Sequence, residues 1–181
     1  METRDVLADA FERIRGGMRR VAEGLDAEAL AYRPDPDANS IAWLVWHATR
    51  VHDDHVSEIA GRDQAWVTDG WAERLDLPLD RMDTGYGHTS EQVAAVRPDG
   101  PELLVGYHEA VARRTFEYLD TIDAGELDRI IDHRWDPPVS VGVRLVSVIN
   151  DQMQHLGQAG YVRGMLERLG PARGSDHRSG S

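Results

Sequence analysis

The chain has 181 residues, 41% hydrophobic and 29% charged, with a formal net charge of −12; that is room for one domain with a real core. The charge argues against nonspecific binding to nucleic acid or anionic membranes, which needs clustered cations, and no apolar run is long enough to cross a bilayer. Cysteine is absent, so a disulfide, a thiolate metal ligand and a cysteine nucleophile are all excluded: any metal must be held by His, Asp or Glu, and any thiol must come from outside.

The opening Met1-Glu-Thr-Arg-Asp lacks the basic-then-apolar layout of a signal peptide, so the expected location is the cytoplasm. Residues 3–25 read as a first helix, with Leu7, Phe11, Ile14, Met18, Val21 and Leu25 recurring at steps of four and three. Residues 26–39 are a connection in which Pro34 and Pro36 forbid a helix. Ser40 or Asn39 then caps a second helix running to about Ala60, the most apolar of the chain. On it His47 falls at the edge of the buried face. His55 falls on that face two turns later, about 12 Å along the axis, so one metal cannot take both. Asp53 and Asp54 read as a solvated stretch or as partners for Arg50 or Arg62.

Residues 61–100 read as a long irregular connection punctuated by glycine and proline, with a short helix possible from Ser90 to Val96. Trp66, Trp71, Tyr86 and His88 concentrate there. They read either as a lid or pocket wall over a site between helices, or, for the two tryptophans, as a cap on the end of the core. A third helix starts at Gly100-Pro101-Glu102, with Leu104, Tyr107, Val111, Tyr118 and Ile122 inward and His108 and Glu109 at the surface. Ile130–Trp135 is extended without the marks of a strand, and Pro137-Pro138 stops any helix. A fourth helix runs from Ser140 to about Leu169. Gly157, Gly160 and Gly164 recur along it, each costing up to about 1 kcal/mol against alanine, as though a neighbouring helix came close. The domain is taken as residues 1–170, and 171–181, polar and Gly/Ser-rich, as a disordered tail.

The fold class these elements imply is all-α, a four-helix bundle with its long connection between helices two and three. Asp151 and His155 stand four apart on the last helix, hence on one face. A carboxylate and an imidazole so presented can share a divalent metal if a third ligand faces them, and His47 is the best-placed candidate. Metal sites in bundles are built from facing helices projecting inward. The same residues also fit a weak exposed Asp–His pair and a hydrogen-bonded histidine at the core edge.

Four stretches carry a likeness: Ser40-Ile-Ala-Trp-Leu-Val-Trp-His47, Arg50-Val-His-Asp-Asp-His-Val56, Gly85-Tyr-Gly-His-Thr-Ser90 and Asp151-Gln-Met-Gln-His-Leu-Gly-Gln-Ala-Gly-Tyr-Val-Arg-Gly164. In this order they resemble the DinB-like superfamily, in its actinobacterial branch related to mycothiol-dependent S-transferases and to the N-terminal domain of the mycothiol-dependent maleylpyruvate isomerase. The family's triad is usually three histidines; here His47 and His155 match the first and third, and Asp151 stands at the second. The resemblance implies a divalent metal at these residues, zinc first, with nickel and iron as alternatives. It also implies mycothiol as cosubstrate, a small electrophile as acceptor and a homodimer. Tyr86 and His88 become candidate substrate contacts, and Arg163 a candidate for a cosubstrate carboxylate. The rival readings are a metal-water hydrolase at the same triad and a non-catalytic bundle that binds a metal or a small molecule.

Overall fold

The computed structural model describes residues 2–169. The chain runs α1 (Thr3–Ala22), α2 (Ala27–Ala31), α3 (Ile41–Ala60), α4 (Ala65–Thr68), α5 (Trp71–Leu75), α6 (Ser90–Ala95), α7 (Pro101–Leu119), α8 (Ala124–Asp128), β1 (Ile130–Asp132), β2 (Val139–Ser140) and α9 (Val141–Leu169). The four long helices α1, α3, α7 and α9 form the bundle, with α1 and α3 each packed on both α7 and α9. The expected all-α fold class is the one observed. The tail expected at 171–181 lies outside the described residues. Among the described residues, no helix is long and apolar enough to cross a membrane.

The helix ends follow local chemistry. Ser40 Oγ accepts from the Trp43 N–H at 3.1 Å and starts α3, and Gly61, at φ +63°, ends it in the left-handed conformation that glycine adopts without strain. The first helix stops at Ala22 rather than at residue 25, because the chain turns through Gly24 at φ +79°. The connection after it holds one helical turn, α2, capped by Asp26 ahead of the two prolines. Beyond α8, Ile130 pairs antiparallel with Ser140 and Asp132 with Val139, so the extended segment is a short strand after all.

Two apolar clusters fill the bundle. One gathers Ile14, Met18, Leu44, Trp46, Trp66, Trp71, Tyr107 and Ala159; the other gathers Phe11, Val56, Leu119, Leu145 and Val148 towards the opposite end. Between them lies a buried polar layer. His52 Nε2 meets Thr115 Oγ1 at 2.8 Å and its Nδ1 accepts from Gln152 Nε2 at 2.5 Å, while His108 Nδ1 meets Thr49 Oγ1 at 3.1 Å. Burial of the two imidazoles is tolerable because each has a polar partner, while Gln152 Oε1 is buried with none. His108, expected at the surface, is therefore an interior residue: it shares the inward stripe of Leu104, Val111 and Thr115 on α7.

Asp53, expected in solvent or paired with an arginine, is buried. Its carboxylate accepts from the N–H groups of Ala65 and Trp66 at 3.0 and 2.8 Å and from the Tyr107 hydroxyl at 2.8 Å, and so anchors the start of α4. Arg50, one of the two arginines expected as its partner, is buried beside it at 3.9 Å. Trp66 and Trp71 pack on Tyr107, and Gly106 leaves room for the Trp71 ring, 2.8 Å from where a Cβ would stand. The two tryptophans thus close the core rather than forming a lid. The close helix contact also falls elsewhere than expected: Gly157 and Gly160 face open space, while Gly17 of α1 admits the Leu156 side chain of α9.

Candidate metal centre

His47 on α3 and Asp151 and His155 on α9 come together where these two helices pack. Each offers one ligand atom, and the three atoms lie within 4.8 Å of one another. Each imidazole is held by a second contact. His47 is stacked on Trp43, with ring centroids 4.5 Å apart and planes 11° from parallel, and its Nδ1 meets the Thr84 carbonyl at 2.5 Å. A carbonyl only accepts, so Nδ1 carries the proton and the Nε2 lone pair is the one presented. His155 Nδ1 meets Gln158 Oε1 at 3.1 Å, which leaves its Nε2 facing Asp151 Oδ1 at 3.4 Å. The His155 ring stands edge-on to His47, 4.8 Å away.

The electrostatics fit a ligand set. Burial pushes the His47 pKa down and keeps its ring neutral. His155 is pushed up, chiefly by its hydrogen bond to Asp151, so a proton is shared there when nothing else is bound. Asp151 Oδ2 is buried with no hydrogen-bond partner. A carboxylate oxygen shut away from water is costly unless something positive meets it, and with the two imidazoles beside it the cluster could hold a metal ion.

The segment that carries Thr84 is fastened at several points. The buried Arg50 guanidinium donates to the carbonyls of Asp83 and Met82 at 3.1 and 3.4 Å. Asp83 accepts from the Gly85 N–H at 2.8 Å and meets His88 Nε2 at 2.8 Å. The other nitrogen of His88 accepts from Trp43 Nε1 at 3.0 Å. Asp83, Thr84 and Gln158, and the hold of Arg50 on this loop, escaped the sequence reading. Thr84 acts through its backbone and leaves no signal, whereas Gln158, one turn beyond His155 on the same face, was open to the i, i+3 rule.

The other sequence-picked residues stand apart from the cluster. His88 has both ring nitrogens engaged and a side chain only 3% exposed, so it is a strut under the loop rather than a contact open to substrate. Tyr86 is 93% exposed. Arg163 donates to the Arg20 and Glu23 carbonyls at 2.6 and 3.0 Å and to Glu167 at 2.9 Å. Its guanidinium caps the end of α1 through Nη1 and pairs with Glu167 through Nε. His55, expected on the buried face, is part-exposed and meets Arg144 at 2.7 Å.

Fold and site together define a DinB-like helical bundle with a His–Asp–His cluster between its second and last long helices. The profile of the mycothiol-S-transferase family matches residues 6–168, and the chain belongs to that family. It is also similar to the crystal structure of a conserved protein from Enterococcus faecalis, with 31% identity and a TM-score of 0.87 over 93% of this chain and 99% of that one. No curated protein matches it.

Proposed function

We propose that the protein is a divalent-metal-dependent thiol transferase that activates a low-molecular-weight thiol, mycothiol, for attack on a small electrophile. The observation that carries this reading is the convergence of His47, Asp151 and His155, with a buried carboxylate oxygen left unpartnered among them. Membership of the mycothiol-S-transferase family supplies the thiol, and the absence of cysteine is compatible with a nucleophile brought in from outside.

The three residues would hold the ion, and two imidazoles with one carboxylate suit zinc, and equally nickel or iron. Such an ion supplies Lewis acidity, which lowers the pKa of a thiol brought to it. The chain's own residues do the rest. Thr84 and Gln158 fix the two ring orientations, Trp43 keeps His47 in plane, and Asp151 accepts the proton of His155 until a cation replaces it. The transfer forms one carbon–sulfur bond, expels the leaving group of the electrophile with its electron pair, and gives the thiol proton to solvent. The reading includes a cytoplasmic homodimer, for which the exposed Val143, Val146 and Met153 on the outer face of α9 offer an apolar surface.

The test is conjugate formation by metal-loaded protein, mycothiol and a panel of alkyl-halide and epoxide electrophiles, followed by mass spectrometry. The expected result is a thioether whose rate rises with mycothiol and falls to background in His47→Ala/His155→Ala. Ester or amide cleavage at full rate without any thiol would replace this reading with metal-water hydrolysis. No acceleration across the panel would remove it.

A further inference from the structure

A cavity of about 200 Å³ is bordered by Trp46, Trp66 and the chain from Ala72 to Arg81, and none of the three clustered ligands lines it. Trp46, on α3, is 1% exposed. Its Nε1 is shut away from water and has no hydrogen-bond partner. The neighbouring indoles are satisfied: Trp43 donates to His88 Nδ1 at 3.0 Å and Trp66 to the Arg81 carbonyl at 2.6 Å. A buried donor left unpaired is costly, so what this wall lacks is an acceptor. The Cζ3 edge of Trp46 faces Gly85. Nε1 lies at the opposite edge of the indole, with the cavity the open space that Trp46 borders. Trp71 Nε1 is also unpartnered, but its ring packs over Gly106 and is not part of the cavity wall.

The mouth of the cavity has the opposite chemistry. Glu73, Asp76 and Asp80 stand there against a single arginine, Arg81, which Glu73 pairs at 2.5 Å. Asp76 and Asp80 remain as exposed carboxylates. Both are held before any ligand arrives, which lowers the cost of binding. Asp80 Oδ1 accepts from the Met82 N–H at 2.9 Å, and the Trp66 hydrogen bond fixes the next residue, Arg81, to the wall. Asp76 has φ +43°, the one positive φ outside glycine among the described residues. Backbone held in that region is strained, and such strain gathers at binding sites.

A donor at the inner end, apolar side walls and carboxylates at the mouth define a ligand with the complementary order. We propose that this cavity binds a one-ring organic amine that carries an oxygen acceptor at the end opposite its ammonium group. The oxygen accepts from Trp46 Nε1, the ring lies against Leu77, Leu79 and Trp66, and the ammonium meets Asp76 and Asp80. An anion of the same size is repelled at the mouth. The site is separate from the thiol chemistry and stands or falls without it.

The experiment is a heteronuclear NMR titration of the full chain with three probes: para-methoxybenzylamine, benzylamine, which lacks the oxygen, and para-methoxybenzoate, which carries a carboxylate in place of the aminomethyl group. The Trp46 indole N–H resonance is identified by its loss in Trp46→Phe, or by sequential assignment of the wild type should that variant fail to fold. It should move downfield on saturation with para-methoxybenzylamine, which should bind at least about tenfold more tightly than either analogue. Asp76→Asn/Asp80→Asn should lose about tenfold in affinity for this amine and keep the downfield shift at saturation. Asparagine tolerates the left-handed backbone at position 76 and keeps an acceptor for the Met82 N–H. Equal affinity for the three probes, or a double variant that binds the amine as the wild type does, would overturn the proposal. A resonance that no probe moves would mean that the cavity holds water alone, and would overturn it as well.

Discussion

Gly85 has φ +90°, and a Cβ built there would lie 2.8 Å from His47 Nδ1 and 3.0 Å from the Trp46 ring. Its lack of a side chain lets the Thr84 carbonyl reach the histidine. Gly85→Ala should therefore cost about 1 kcal/mol of stability through the positive φ and, by displacing the partner of His47, about tenfold to hundredfold in metal affinity. Competition with a chromogenic chelator would measure the second effect, and a variant with wild-type affinity would show that the loop does not orient the ligand. The triad was legible in sequence because an i, i+4 pair and a histidine at the edge of an apolar face are patterns of side chains. The Thr84 contact was not, since a backbone carbonyl has no letter of its own. His88 and Arg163 carry a related lesson: a histidine in a loop and an arginine beside a site suggest ligand contacts, and only the fold shows that Trp43, Asp83 and the end of α1 engage them.

Among elements, the four long helices were plain because each buries one stripe at helical spacing, from Leu7 to Val21 on α1 and from Val141 to Val162 on α9. The three short helices between residues 65 and 95 were less so. They are too short to show a period, and α4 takes its cap from Asp53, which lies a dozen residues earlier in the chain. An acidic pair inside a helix looks solvated until the backbone it caps is folded against it. The β1–β2 pair has the same character: its strands are three and two residues long, below the length at which alternation can be read. His108 shows residue type and period in conflict. Its position matched the inward stripe of α7 while its polarity argued for the surface, and the position prevailed because Thr49 supplies a partner.

For the whole molecule, the polar layer between the two apolar clusters ties stability to pH. Burial pushes the pKa of His108 down to about 4 and that of His52 well below its ordinary value of 6.5. The unfolded chain binds those protons near pH 6.5 and the folded chain does not, so stability rises with pH between those values. The contribution is complete above about pH 6.5 and is lost as the pH falls towards 4, with His108 alone worth about 3 kcal/mol. Urea unfolding measured from pH 7 to pH 4 should show this slope, and His108→Gln should flatten it. An unchanged slope in the variant would mean that His108 takes up a proton in the folded state.

The central claim is that α3 and α9 meet to form a divalent-metal site, and elemental analysis of the purified protein beside His47→Ala/His155→Ala tests it most directly. The account predicts about one zinc, nickel or iron per chain in the wild type, three protein ligands leaving a position open for the thiol, and none in the variant. A wild type that stays metal-free after reconstitution, or a variant that keeps its metal, would contradict it.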